Sequence, residues 1–277
     1  MTEAGPYGAG RTPLDAAALR AAAVRPGGLW RTVEVTAVTG STNADLLARA
    51  AAGEPEGAVL AAEYQNAGRG RLGRSWTSPP RAALTFSVLL RPSAVPRARL
   101  GWLPLLAGVA VAAAVRAVAA VDAQLKWPND VLVGEAKLGG ILAEASGDAV
   151  VVGTGVNVSN GPAELPPPGP GALPATSLLL EQARSLDRAV LLAEILAGLE
   201  CRYRAWSAVF GDTERSGLRA EYTGLCGTLG RRVRIELPGG RALDGVAAAL
   251  EADGRLLVSV PPDADLPVAA GDIVHLR

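Results

Sequence analysis

Cysteine and histidine are scarce in this chain, and each scarcity limits what the protein can be. Only two cysteines, Cys201 and Cys226, occur among 277 residues, and they form no CxxC pattern. A disulfide framework or a structural zinc site is therefore disfavoured, and this usage is typical of the reducing cytosol. The single histidine, His275, lies by the C-terminus, where its position favours a strand residue over a catalytic one.

Net charge and long hydrophobic runs are missing as well. The formal net charge is +0, which gives no general attraction to nucleic acid or to membranes. The first 30 residues contain polar and charged positions throughout and no apolar core of a signal peptide. One stretch, Leu103 to Val121, mimics a membrane span, but it is weakly apolar and contains Arg116. It predicts a buried core helix, and we expect a cytoplasmic protein.

The length allows one large core and a small second domain. From Leu225 onward the sequence pattern changes to short strand-like segments separated by glycine-containing turns. These segments span residues 231–237, 242–250, 256–260 and 272–276. Such spacing is typical of a small β-barrel of SH3-like size. We therefore predict a first domain over residues 1–222 and a second over residues 223–277.

A Gly/Arg segment at residues 68–74, GRGRLGR, formally matches the dinucleotide-binding pattern G-x-G-x-x-G. That pattern requires a helix directly after it and an acidic residue about 20 positions later. Here SWTSPP follows, and no Asp or Glu occurs between Tyr64 and Val121. Neither lysine fits a phosphate-binding P-loop. The segment instead suits a flexible loop that folds over a small polyanion. A solvated surface loop, or one that contacts nucleic acid nonspecifically, is the alternative.

Lysine and asparagine are also scarce, and they are concentrated in glycine-rich turns. Lys126 and Lys137 are the only lysines, and three of the five asparagines are Asn43, Asn129 and Asn157. Taken singly, these turns read as an ordinary β-turn, a solvated lysine and a bulge. Together they indicate one site assembled from several loops.

Five motifs then resemble one family, the biotin–protein ligases, and occur in that family's order. They are GSTN (40–43), EYQNAGRGRLGRSW (63–76), LKWPNDV (125–131), KLGGILAE (137–144) and GTGVNVS (153–159). The resemblance implies an α+β fold, with a mixed β-sheet flanked by helices as in class II aminoacyl-tRNA synthetases and a C-terminal SH3-like β-barrel. It also implies that ATP and biotin, with Mg²⁺, give biotinyl-5′-AMP and pyrophosphate, and that biotin then passes to a lysine of a carboxylase's biotin carboxyl carrier domain.

The same resemblance assigns roles to individual residues. Lys137, Arg71, Arg74 and Asp130 would be catalytic, with Lys137 bridging carboxylate and phosphate and Asp130 orienting Lys126 or the incoming amine. The biotin contacts would be Ser41, Thr42, Asn43, Gln65, Arg69, Gly70, Arg71, Lys137, Gly139 and Gly140. The ATP contacts would be Arg71, Arg74, Trp76, Lys126, Asn129, Asp130 and Asn157. The metal ligands are not indicated.

Two departures and two alternatives accompany this interpretation. Leu72 stands where a basic residue is common in the family, so one charge is lost. About 35 residues precede the catalytic motifs, too few for an N-terminal winged helix plus linker, so we expect no DNA partner and no repressor activity. The alternatives are a lipoate- or octanoate-type ligase of the same fold and a non-catalytic nucleic-acid-binding module.

Overall fold

A seven-stranded mixed sheet forms the centre of the protein. The computed structural model describes residues 10–167, 173–237, 241–260, 264–269 and 272–276. The sheet has the order β1-β2-β3-β7-β6-β5-β4, and only the β1–β2 pair is parallel. Its strands are β1 (Thr32–Thr36), β2 (Ala58–Ala62), β3 (Ala83–Leu90), β4 (Ala123–Lys126), β5 (Asp130–Val133), β6 (Ala136–Ser146) and β7 (Ala149–Asn157). The predicted mixed sheet flanked by helices is confirmed.

Helices cover both faces of this sheet. They are α1 (Ala16–Ala23), α2 (Thr42–Ala51), α3 (Trp102–Ala114), α4 (Arg188–Ala208) and α5 (Leu218–Leu225). On one face α3 packs over β6, where its Gly108 faces the Ile141 side chain. On the other face α2 packs over β3, β6 and β7, and its Asn43 lies against Gly153. Successive strand residues point to opposite faces, which separates the two helices across the sheet.

Helix α3 is the predicted core helix. Eleven of its thirteen residues are buried, and a π-helical turn (Val115–Ala119) extends it to Ala120, whose φ of 57° ends it. The stretch Arg97–Ala119 is long and apolar enough to cross a membrane by length and composition alone. However, 72% of its apolar 18-residue segment is buried inside the fold. Burial against α4 and the sheet explains its apolar surface, so the interpretation as a core helix is confirmed.

A second, antiparallel sheet follows α5. It has the order β11-β10-β9-β8-β12, with β8 (Arg232–Leu237), β9 (Arg241–Leu250), β10 (Leu256–Val260), β11 (Ala264–Val268) and β12 (Asp272–His275). The sequence did not predict β11, because Pro267 lies within it and proline disfavours a strand except at an edge, where β11 lies. The predicted boundary after residue 222 falls inside α5, and the division into domains at that point stays a prediction.

The second sheet is fastened to the turn between β4 and β5. The backbone N–H of Trp127 donates to Thr228 Oγ1 at 3.1 Å, and the Trp127 indole Nε1 donates to the Gly254 carbonyl at 3.0 Å. The Gly227 N–H donates to the Leu125 carbonyl at 2.8 Å. Trp127 is 2% exposed, so both of its donors require acceptors within the protein. The second sheet therefore sets the position of the residues that follow Trp127.

Candidate active site

A cleft of about 740 Å³ opens on the face of the large sheet that carries α2. Its walls come from the start of α2, the Gly/Arg loop and the strands β3, β5, β6 and β7. The lining residues are Ser41, Thr42, Asn43, Gln65, Arg69, Gly70, Arg71, Arg74, Ser75, Trp76, Thr85, Phe86, Asn129, Asp130, Lys137, Gly140, Ile141, Leu142, Gly153, Thr154 and Gly155. Four of the five sequence motifs contribute most of this lining, and the fifth, the KWPND turn, contributes Asn129 and Asp130.

The N-terminus of α2 forms one end of the cleft. Ser41 is the N-cap residue, extended at φ −162°, and its hydroxyl accepts a long hydrogen bond from the Ala44 N–H at 3.5 Å. The Thr42 N–H donates to Gln65 Oε1 at 2.8 Å, which joins the helix to the segment that leads into the Gly/Arg loop. First-turn N–H groups and the helix dipole favour a polar or anionic ligand at this end.

A buried chain of hydroxyls and amides fixes the floor beside α2. Ser87 is fully buried, and its hydroxyl donates to Asn43 Oδ1 at 2.6 Å. The Thr42 and Ser87 hydroxyl oxygens lie 2.7 Å apart. The Thr42 hydroxyl also lies 3.1 Å from Gln65 Oε1, so it connects Ser87 with the segment that leads into the Gly/Arg loop. The Asn43 amide Nδ2 donates to the Leu142 carbonyl at 3.1 Å and to Glu144 Oε2 at 2.8 Å. Both ends of the Asn43 amide are therefore held.

Two glycines of β7 make room for side chains that lie on the sheet. A Cβ at Gly153 would lie 2.1 Å from Asn43 Oδ1, and one at Gly155 would lie 2.5 Å from Trp76 Cε2. The Trp76 ring therefore lies directly over the backbone of Gly155. Its indole nitrogen is buried and has no hydrogen-bond acceptor among the described residues. The glycines let polar and aromatic groups approach the floor of the cleft more closely than any other residue would allow.

The Gly/Arg loop folds back on itself like a small hairpin. The Gly70 N–H donates to the Arg74 carbonyl at 2.6 Å, and the Trp76 N–H donates to the Gly68 carbonyl at 2.9 Å. Its tip turns at Leu72, which has a φ of 55° and a 66% exposed side chain. No helix follows, because the next regular element is β3 at Ala83. The exclusion of a dinucleotide-binding loop is confirmed.

Cations dominate the charge of the cleft. Four cationic residues belong to its described lining, namely Arg69, Arg71, Arg74 and Lys137. The same described lining has a single carboxylate, that of Asp130. Lys137 Nζ lies 2.6 Å from Asp130 Oδ1. Arg71 Nη1 donates to Asn129 Oδ1 at 2.9 Å. Guanidinium and ammonium groups in excess over carboxylates suit a ligand that brings several negative charges.

Three predicted site residues lie outside this lining. Asn157, at the end of β7, is buried and donates its Nδ2 to the Thr176 carbonyl at 2.9 Å. Gly139 lies against the backbone of its neighbour strand, where a Cβ would be 2.5 Å from the Gly155 carbonyl. Lys126 lines a neighbouring groove with Arg231 and His275. The structure brings together the remaining predicted residues, and Asp130, which was predicted to orient Lys126 or the incoming amine, forms an ion pair with Lys137.

Several lining residues were not predicted as site residues. They are Ser75, Thr85, Phe86, Ile141, Leu142, Gly153, Thr154 and Gly155. Most lie inside or beside the recognised motifs. For β3 the available signal was alternation, because Thr85 and Ser87 are polar positions in an otherwise apolar strand and so share a face.

His275 lies in the groove beside Lys126 and not in the cleft. Its Nε2 lies 3.1 Å from Thr228 Oγ1. Partial burial, together with the nearby positive charges of Lys126 and Arg231, lowers the pKa of His275 to about 4. The same Thr228 oxygen accepts from the Trp127 backbone N–H, so Thr228 joins His275 to the turn between β4 and β5. The interpretation of His275 as a strand residue is confirmed.

Comparison with known proteins shows which families and solved structures the chain is similar to. The model described as "Biotin/lipoate A/B protein ligase family" matches residues 35–158, and "Biotin protein ligase C terminal domain" matches residues 228–276. A biotin--[acetyl-CoA-carboxylase] ligase of Mycobacterium tuberculosis is 44% identical over 96% of this chain and 97% of its own length. The bifunctional ligase/repressor BirA of Escherichia coli is 34% identical over 82% of this chain and 68% of its own. The biotin protein ligase from Aquifex aeolicus in complex with biotin and ATP has a TM-score of 0.73 and 26% identity, covering 90% of this chain and 100% of that chain.

Proposed function

The chain belongs to the biotin/lipoate A/B protein ligase family, and from this premise we infer that it is an ATP-dependent biotin–protein ligase. The observation that carries this function is the cationic cleft, whose floor and loop are built from the motifs shared with that family. In the first step a biotin carboxylate oxygen attacks the α-phosphorus of ATP, and pyrophosphate leaves. In the second step a deprotonated lysine of an acceptor protein attacks the acyl carbon of biotinyl-5′-AMP, and AMP leaves.

The first step has to bring two anions together. Arg69, Arg71 and Arg74 approach from the loop, and Lys137 approaches from β6. We assign Lys137 to the carboxylate and the α-phosphate, since its compact charge stabilises the charge that develops between them. Asp130 orients this ammonium group through the 2.6 Å ion pair. The protein contributes position and electrostatic stabilisation and makes no covalent intermediate.

The two substrates divide the cleft between its ends. We assign biotin to the end formed by α2, where Ser41, Thr42, Asn43 and Gln65 offer neutral hydrogen-bonding groups to a polar ring system. We assign the nucleotide to the end formed by Trp76, Arg71, Arg74, Asn129 and Asp130. The Trp76 ring over Gly155 supplies an aromatic surface there. The backbone of Gly70 and Gly140 and the loop arginines then adjoin the carboxylate and phosphates.

Magnesium fits this cleft as a companion of ATP. No group of three or more His, Cys, Asp or Glu side chains that could hold a metal is found in the part of the chain that the structure describes. Mg²⁺ in nucleotide sites is commonly held by one or two carboxylates together with the phosphates. Asp130 is the carboxylate of the lining that could contact it, and the ion would neutralise phosphate charge.

The acceptor and the absence of a repressor role are also proposals. A biotin carboxyl carrier domain of an acyl-CoA carboxylase is the acceptor that the name of the Mycobacterium tuberculosis relative suggests. No DNA partner is proposed. Tight, sequence-specific binding of operator-like DNA by the full chain would contradict that part of the proposal.

One incubation series tests the function against its alternatives. The protein is mixed with ATP, Mg²⁺ and a carboxylase carrier domain, and with biotin, lipoate or octanoate in turn, while pyrophosphate release and carrier mass are measured. We expect release and a mass increase with biotin. A reaction with lipoate or octanoate alone would show a lipoyl-type ligase. No reaction with any acid, together with salt-dependent nucleic-acid binding, would show a binding module.

A further inference from the structure

Glu144 contacts both the floor of the cleft and the loop that covers it. This residue of β6 is absent from the assigned biotin and ATP contacts. Its Oε2 accepts from Asn43 Nδ2 at 2.8 Å and pairs with Arg69 Nη2 at 3.2 Å. A single carboxylate oxygen therefore joins a side chain of α2 to the second residue of the Gly/Arg loop. The carboxylate that lines the cleft, that of Asp130, is engaged with Lys137 instead.

We propose that Glu144 is a positioning residue that holds the Gly/Arg loop over the cleft by anchoring Arg69 to the floor that contains Asn43. This inference rests on the proposed biotin–protein ligase function. The reactive anhydride has to be covered while it waits for the carrier, and the loop has to move aside for the acceptor lysine. A contact from the sheet to the loop controls how often the cover opens.

The two halves of the Glu144 contact differ in kind. The Asn43 half is built into the floor, because the same amide donates to the Leu142 carbonyl and accepts from Ser87. The Arg69 half is an ion pair between side chains that are 44% and 26% exposed. Ion pairs between exposed side chains shift the equilibrium between their paired and separated states by roughly fivefold or less. Water and salt ions can therefore separate Arg69 from Glu144. The loop half can therefore open without disturbing the floor half.

Replacement of Glu144 by glutamine separates these halves. In Glu144→Gln the amide oxygen still accepts from Asn43, but the charge that attracts Arg69 is gone. In Glu144→Ala both contacts are lost, and Asn43 keeps the Leu142 carbonyl. A matched control is Asp244→Asn, which removes an exposed ion pair of the same kind, Arg234–Asp244, from the second sheet.

The first measurement is trypsin cleavage after Arg71 and Arg74 in the ligand-free protein, located by mass spectrometry. We expect Glu144→Gln to be cut roughly two- to fivefold faster than the unmodified protein at low salt. Added salt should raise the rate of the unmodified protein toward that of the variant, because it screens the ion pair. Asp244→Asn should be cut at the unmodified rate. Equal rates for the unmodified protein and Glu144→Gln at low salt would overturn the proposal.

The second measurement uses biotin, ATP and carrier domain, and compares AMP released with carrier biotinylated. We expect Glu144→Gln to release more AMP per biotinylated carrier, with little change in the biotin KM. Glu144→Ala should also raise the biotin KM, because Asn43 loses one of its acceptors. Suppose instead that both variants raise the biotin KM and leave the ratio of AMP released to carrier biotinylated unchanged. Glu144 would then support only Asn43, and its proposed role in holding the loop would be overturned. If the unmodified protein releases no pyrophosphate with biotin, the proposed function fails, and the cleavage rates still decide whether Glu144 holds the loop.

Discussion

Lys137 Nζ and Asp130 Oδ1 form a 2.6 Å ion pair between neighbouring strands of the large sheet. The chain's two lysines thus have different surroundings, since Lys126 faces the groove next to the second sheet. The pair gives the Lys137 ammonium a fixed direction inside the cleft, where the three loop arginines also lie. Because Lys137 lies on a strand and the arginines lie on the loop, replacing Lys137 tests its contribution to the reaction while the three arginines stay in place.

Lys137→Ala should abolish most adenylation while the protein stays folded. The side chain is a third exposed, so its removal opens no large cavity, whereas a group that stabilises developing charge is worth about 10²–10³ in rate. Biotin-dependent exchange of pyrophosphate into ATP measures the activity, and thermal unfolding measures the fold. Near-normal exchange in the folded variant would remove Lys137 from its proposed role.

Ser87→Ala should weaken both stability and biotin binding. The substitution leaves Asn43 Oδ1 without a donor in a buried place, which costs about 1–3 kcal/mol of unfolding free energy, whereas the Thr42 hydroxyl keeps Gln65 Oε1 as a partner. Urea unfolding and the KM for biotin are the measurements, with exposed Ser93→Ala as the matched control. An unchanged biotin KM would show that the floor chain does not shape the biotin end.

Gly155→Ala should displace the Trp76 ring. The new Cβ would lie 2.5 Å from Trp76 Cε2, so the ring has to shift, and overpacking of this kind costs about 1–3 kcal/mol. We expect the KM for ATP to rise more than the KM for biotin. Gly224→Ala, where a Cβ meets nothing within 4 Å, is the control. Equal rises in both KM values would contradict the assignment of Trp76 to the nucleotide.

Acidification should destabilise the fold through His275. Its pKa is lowered to about 4 in the folded protein, whereas an unfolded chain has the ordinary value near 6.5. The unfolded state therefore binds more protons between these values, and the free energy of unfolding falls as pH drops from about 6.5 to about 4. The ring is only partly buried, so solvent reduces the size of the effect.

His275→Gln tests this contribution, because glutamine is polar but does not titrate. Urea unfolding at pH 7.5 and at pH 5 gives the loss of stability for each protein. We expect a smaller loss for the variant than for the unmodified protein. An identical loss in both proteins would assign the acid sensitivity to carboxylates elsewhere.

Local chemistry made part of the fold predictable, whereas the roles of the site residues came from the resemblance to the biotin–protein ligases. The core helix and four strands of the second sheet follow from apolar runs and turn residues. The same reasoning could not place Lys126 beside the second sheet or detect Glu144 as the partner of Arg69. These relationships depend on contacts between residues far apart in the chain, such as the 75 positions between Arg69 and Glu144. Residue types and spacing along one segment carry no record of such contacts.

The hydrogen bonds of Trp127 also have a consequence for folding during synthesis, because a ribosome makes the chain from its N-terminus to its C-terminus. The acceptors of its two buried donors lie 101 and 127 positions later in the chain, on Thr228 and Gly254. A growing polypeptide therefore presents every cleft motif well before it has the groups that satisfy this indole and its backbone N–H. The turn with Asn129 and Asp130 acquires this support only after Gly254, 127 positions beyond Trp127, has been synthesised. Until then the cleft motifs are present without the contacts that hold this turn in place.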